Sequence, residues 1–127
     1  MSSAFSLLEL LITLTILSIL TAIAYPQYTQ HIIKTRRSDA KTSLYQLATN
    51  LEIYYAEHNT YSGFPFDNNL SSQRFYQLTV LTTDENSYSL QASPVGPQQA
   101  DKECGSFLLS HTGEKSNSEL NQNQHCW

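Results

Sequence analysis

Residues 5–25 read FSLLELLITLTILSILTAIAY. The stretch is apolar or small at almost every position, and Glu9 is its one charge. As a helix it is long enough to cross the hydrocarbon layer of a bilayer, about 30 Å. A charged side chain inside lipid costs at least ~2.5 kcal/mol, so an acid at this place marks a functional site and calls for a cationic partner. A short polar tetrapeptide, Met1-Ser2-Ser3-Ala4, precedes the run.

Behind the run the apolar pattern continues at helical spacing. Ile32 and Ile33 lead to Ala40, Leu44, Leu47, Leu51, Tyr54 or Tyr55, and His58. Steps of three and four put these on one face. Lys34, Arg37, Lys41, Glu52 and Glu57 fall to the wetter side by polarity. Asn59-Thr60-Tyr61-Ser62-Gly63 ends the pattern, with Gly63 as the terminator. The spacing predicts one helix from near Phe5 to near His58, apolar all round in its first half and amphipathic in its second. The second half needs a sheet to lie on.

Three strands are expected for that sheet. Residues 75–82, FYQLTVLT, are rich in β-branched and aromatic side chains; 84–86, DEN, form a turn cluster; and 87–92, SYSLQA, alternate polar and apolar. Together they read as a hairpin. Pro94-Val95-Gly96-Pro97 breaks the chain, and Ser106 to Ser110 is a third strand closed by Thr112-Gly113. Residues 60–75 connect helix to sheet and offer Phe64 or Phe66 to tuck against it. The fold class is α+β: a long N-terminal helix on a small antiparallel sheet.

The N-terminal residues carry a family resemblance. Ala4-Phe5-Ser6-Leu7-Leu8-Glu9-Leu10, the apolar run, and Ala22-Ile23-Ala24-Tyr25-Pro26-Gln27-Tyr28 resemble the class III signal of type IV pilins. The resemblance implies that a prepilin peptidase cuts between Ala4 and Phe5 and that Phe5 is then N-methylated. It implies that Glu9 is the assembly glutamate, facing the new ammonium of a neighbouring subunit in a lipid-like core. Pro26 kinks the helix rather than ending it, since its ring removes one backbone hydrogen bond. Two departures stand out. Ala4 replaces the usual Gly, and the leader lacks Lys and Arg, which fits a start further upstream. The implied organisation is a leader (1–4), a membrane and assembly half-helix (5–25), an amphipathic half-helix (26–59) and a head (60–127).

Cys104 and Cys126 are the only cysteines and follow an export signal, a context that favours a disulfide. The polar stretch between them, Thr112 to Glu119 and Asn121 to Gln124, has little apolar content of its own. Closing such a loop is worth roughly 3 kcal/mol. The arrangement resembles the C-terminal disulfide region of pilins. Asp101-Lys102-Glu103-Cys104-Gly105 and the ending Cys126-Trp127 resemble the small-pilin branch with the PilE-type minor pilins and the ComP-type DNA receptor. A zinc site from Cys104, His111, His125 and Cys126 is the weaker reading, because His125 and Cys126 are adjacent and no C-x-x-C occurs.

Lys plus Arg number 7 against 11 Asp plus Glu, a net charge of −4. Beyond residue 60 only Arg74, Lys102 and Lys115 are basic, against Asp67, Asp84, Glu85, Asp101, Glu103, Glu114 and Glu119. Nucleic-acid binding draws most of its affinity from phosphate neutralisation. The one basic cluster, Lys34-Arg36-Arg37-Lys41, reads as a solvated or intersubunit face, so DNA binding is disfavoured. No nucleophile elbow, phosphate loop or paired-carboxylate motif points to an enzyme, and no cofactor is expected.

The expected function is a pilus subunit of minor type, serving adhesion, motility or DNA uptake. Its expected partners are other pilin subunits, the prepilin peptidase and N-methyltransferase, the inner membrane and the assembly platform. The chain would cross the inner membrane once, head in the periplasm, before joining an extracellular fibre. Three rivals follow from the same residues. A pseudopilin of a type II secretion system shares the N-terminal segment but commonly lacks the C-terminal disulfide. A secretory signal cut after Ala22-Ile23-Ala24 has the A-x-A form. A plain signal anchor is the third, and the cations at 34–41 would then place the C-terminal part in the cytoplasm.

Overall fold

The computed structural model describes residues 3–67, 69–119 and 125–127. The expected leader residues Met1 and Ser2, and the loop stretch Asn121 to Gln124, lie outside the described residues. The chain divides into two compact units, residues 1–32 and 33–127.

The first unit carries the beginning of helix α1, Leu7–His58. Its apolar part is long enough to cross a membrane, and none of it is buried within the chain. Four hydroxyls interrupt it. Thr13, Thr15, Ser18 and Thr21 each donate to the carbonyl four residues earlier, at 2.7–2.8 Å. Every such hydroxyl is satisfied within its own helix, which is what a lipid or helix-packed surroundings require. Pro26 sits inside α1, and Thr29 Oγ1 donates to the Pro26 carbonyl at 2.8 Å.

The second unit is built on the rest of α1. Ala40, Leu44, Leu47 and Leu51 are buried on one side. They face a four-stranded antiparallel sheet in the order β1-β2-β3-β4, with β1 Tyr76–Thr83, β2 Tyr88–Pro94, β3 Phe107–Ser110 and β4 Lys115–Asn117. Alternation selects the inward residues: Tyr76 and Leu78 from β1, Tyr88, Leu90 and Ala92 from β2, Phe107 and Leu109 from β3. The register sets Leu78 opposite Ala92, and Ala92 opposite Phe107. A bulge between Val80 and Thr82 breaks the alternation and leaves Leu81 exposed. Phe64 and Phe66 pack against the core from the connecting loop.

Four readings of the sequence are corrected here. Arg37 is buried rather than on the wet side. It continues the stripe 37-40-44-47-51 in steps of three and four, and its position on the helix overrides its polarity. The sheet has a fourth strand, β4, within the segment read as polar loop. Its three side chains carry no strand pattern, and backbone pairing with β3 makes it a strand. The break after β2 is ordered as a short 3-10 helix, Gly96–Ala100. Finally, Asn59 ends α1, taking the left-handed conformation (φ 61°) with its N–H on the Tyr55 carbonyl at 2.7 Å. Gly63, also left-handed, serves the following turn, where Tyr54 lies across it.

Candidate functional site

The residues expected to be processed and to assemble lie together at the start of α1. Ala4 and Phe5 are exposed and precede the helix, so the bond between them lies in non-helical backbone. Ser6 is the N-cap. Its hydroxyl accepts the Glu9 N–H at 3.1 Å, and Glu9 Oε2 accepts the Ser6 N–H at 3.0 Å. This reciprocal pair is a capping box, which satisfies two donors that the helix start would otherwise leave open. The S-x-x-E spacing at 6–9 was the available sequence signal. Glu9 is therefore held within one turn of Phe5 by its own helix.

A second set of polar groups secures the head, and it was not legible as a set. Arg37 Nε and Nη2 donate to the two Asp101 oxygens at 2.7 and 2.8 Å, and Nη2 also reaches Glu103 at 3.4 Å. Asp101 Oδ1 takes the Cys104 N–H as well, at 3.2 Å. The hydrogen bond to Asp101 raises the Arg37 pKa above its ordinary value, against the opposing effect of burial. Two residues on, Asp39 receives the Ser71 hydroxyl and the Gln73 and Phe75 N–H groups, at 3.0 and 3.4 Å for the latter two. Buried Gln98 donates to the Ile33 carbonyl at 2.9 Å and to the Tyr76 hydroxyl at 3.0 Å. Three segments distant in sequence are thus tied to two turns of α1.

Cys104 and Cys126 form a disulfide with Cα atoms 5.7 Å apart. No thiolate is left there for a metal. The bond sets Trp127 edge-on to Phe107 and Tyr45, at 5.4 and 6.1 Å, with its indole N–H on the Ser116 carbonyl of β4 at 3.0 Å. The basic cluster of the sequence is dispersed. Arg37 is neutralised, the Arg36 guanidinium lies 4.2 Å over the Phe75 ring, and Lys41 is half-buried with its pKa lowered by burial and by Arg37 and Lys115.

Two outcomes follow from this geometry. Arg37→Met leaves Asp101 buried without its cation and lowers stability by about 3–5 kcal/mol; adding Asp101→Leu recovers part of that loss, though the Cys104 N–H then lacks its acceptor. A double-mutant cycle by chemical denaturation measures both. The second outcome concerns alkaline pH. Burial, with the neighbouring Glu52 for Tyr61 and Tyr88, pushes the Tyr61, Tyr76 and Tyr88 hydroxyls up to about 12 from an ordinary 10. The folded state keeps these protons when the unfolded chain has released them. Their stabilisation is complete below pH 10 and is lost as pH rises from 10 through about 12. The denaturation midpoint should fall across that range, and Tyr88→Phe should flatten the fall.

Comparison with known proteins now adds identity to geometry. Residues 1–25 match the model of the prokaryotic N-terminal methylation motif. Residues 26–108 match a model described as the type IV minor pilin ComP, DNA uptake sequence receptor. The type IV major pilin protein PilA of Myxococcus xanthus is 38% identical over 60 residues, 47% of this chain but 27% of that longer protein. The non-core minor pilin PilV of Neisseria meningitidis superposes with a TM-score of 0.59 at 25% identity, over 73% of this chain and 93% of the other. A type IV pilin from Shewanella oneidensis gives 0.57 at 28% identity, over 75% and 97%. A prepilin-type N-terminus, a long helix on an antiparallel sheet and a matched model over most of the chain agree, and the protein belongs to the ComP family of type IV minor pilins, which are structural proteins.

Proposed function

We propose that the chain is a subunit of a type IV pilus, drawn from the inner membrane into a fibre after a peptidase removes residues 1–4 and a methyl group is added to Phe5. The observation that carries this reading is the start of α1: a capped, exposed, largely apolar stretch whose one acid stands a turn from the cleavage bond. Before assembly the helix lies in lipid. In the fibre it exchanges lipid for other helices, so little apolar surface changes its solvent. Glu9 Oε2 is engaged by Ser6, and the carboxylate retains capacity for a neighbour's Phe5 ammonium. A subunit out of register leaves both charges unpaired in an apolar medium, which penalises mispositioning. Pro26 gives the helix a point at which it bends to fit its neighbours.

Glu9→Gln separates the two duties of the carboxylate. It retains an oxygen to cap Ser6 but carries no charge, so membrane insertion should stay normal while incorporation into fibres falls at least tenfold. Mass spectrometry of the N-terminal peptide from assembled protein should give a chain beginning at methylated Phe5. Normal incorporation of Glu9→Gln, or a mature chain beginning at Tyr25, overturns the reading.

A DNA-uptake role is a second reading, favoured by the description of the family model over residues 26–108. A fibre subunit can also carry DNA, so the two are compatible. The exposed cations, Lys34, Arg74, Lys102 and Lys115, are few, and acids outnumber cations. Binding through them would show a shallow salt dependence, with a logarithmic slope of about −4 or less in size. Filter retention of labelled duplex by the whole chain in detergent tests this. Absence of retention at low salt removes the role.

A further inference from the structure

The Lys and Arg residues of 33–127 gather toward one end of the helix, beside Asp39, Asp101 and Glu103, of which the first two are buried and hydrogen-bonded. Every Lys and Arg of this unit lies on α1 between Lys34 and Lys41 or on a segment packed near that stretch. Arg74 adjoins Phe75, which lies under Arg36; Lys102 adjoins Asp101, which holds Arg37; and Lys115 sits 5.7 Å from the Tyr45 ring. Around the other end of the helix stand Glu52, Glu57, Asp84 and Glu85, with no Lys or Arg. The Tyr61 N–H donates to the Glu85 carbonyl at 3.1 Å, which fixes the β1–β2 turn beside the end of α1. At the helical rise, Arg36 and Glu57 are about 30 Å apart.

The basic end is built rather than merely charged. The Arg36 guanidinium is held over the Phe75 ring, 4.2 Å from its centroid. Arg74 takes the left-handed conformation (φ 67°) at the close of a turn, with its N–H on the Ser71 carbonyl at 2.9 Å, and the turn sets it next to Phe75. Arg74 is exposed, and among the described residues neither arginine has an ion-pair partner. At the other end Asp84 accepts the Ser87 hydroxyl at 3.0 Å, which orders the turn, and the Glu85 and Glu57 side chains are exposed.

From this polarity we infer that the Arg36–Phe75–Arg74 surface docks the acidic β1–β2 turn, Asp84 and Glu85, of a second copy of this chain. The contact joins two different patches, so it repeats head to tail and builds an open filament rather than a closed dimer. Charge fixes the order and direction of the heads, while the apolar helices supply most of the burial. The inference rests on the reading of the chain as a fibre subunit and adds which surfaces of the heads meet.

The test uses the whole chain in detergent micelles and measures self-association by sedimentation. Arg36→Glu with Arg74→Glu should weaken association roughly tenfold, as should Asp84→Lys with Glu85→Lys. A mixture of the two variants should restore it, because each then presents one end that the other can take. Restoration also shows that both variants are folded. Raising the salt to 1 M should weaken the wild-type contact. Equal association of all forms overturns the inference, as does failure of the mixture to recover. So does a basic-end variant that loses retention of duplex DNA while its self-association is unchanged, since that surface is then a nucleic-acid site. Incorporation of Glu9→Gln is read separately: if it falls while the charge variants associate normally, the subunit reading stands and this contact does not.

Discussion

A buried arginine fixes where the parts of the head of this molecule meet. Arg37 stands at the head of the apolar stripe on α1 and meets Asp101 through two hydrogen bonds of 2.7 and 2.8 Å. Taking two charges out of water costs several kcal/mol each, and only good geometry with further hydrogen bonds offsets it. Here the fork of the guanidinium matches the carboxylate, Glu103 adds a second acid, and Asp101 takes the Cys104 N–H as well. The pair adds little net stability over an apolar equivalent. Its effect is to specify position: the segment that opens the disulfide loop has one place on the helix, since any other leaves a buried charge alone.

From that point the head closes in sequence. Asp101 places Cys104, the disulfide places Cys126, and Trp127 reaches Phe107, Tyr45 and the β4 carbonyl. Asp39, two residues along α1 from Arg37, draws in the loop before β1 through Ser71, Gln73 and Phe75. A small domain with few large apolar residues thereby gains order from three hydrogen-bonded anchors and one covalent bond, as small cores commonly require. The anchoring is concentrated on the same stretch of α1 that carries the cations, which leaves the far end of the head acidic.

The two units answer to different solvents. The apolar run of the N-terminal unit satisfies its Thr13, Thr15, Ser18 and Thr21 hydroxyls internally and caps its first turn with Ser6 and Glu9. The head presents charge. In the fibre proposed above, cohesion would come from apolar helices and register from electrostatics, two interactions that do not compete for the same surface.

Periodicity and composition alone determined the long helix, its apolar first half, the Ala40-Leu44-Leu47-Leu51 stripe, the β1–β2 hairpin and the third strand. Each is written in local spacing, and burial of one face enforces it. The N-terminal motif from Ala4 to Glu9 was equally local. Tertiary structure decided the rest. Arg37 was read as solvent-facing because its partner lies 64 residues away, and only folding brings Asp101 to it. Strand β4 has no pattern of side chains and exists through backbone pairing with β3. Asn59, not Gly63, ends the helix, because the core stops at Leu51 and Tyr55 and the chain must turn at once toward the sheet. Spacing along a chain reports which face an element buries; it does not report which distant group will meet a buried charge there.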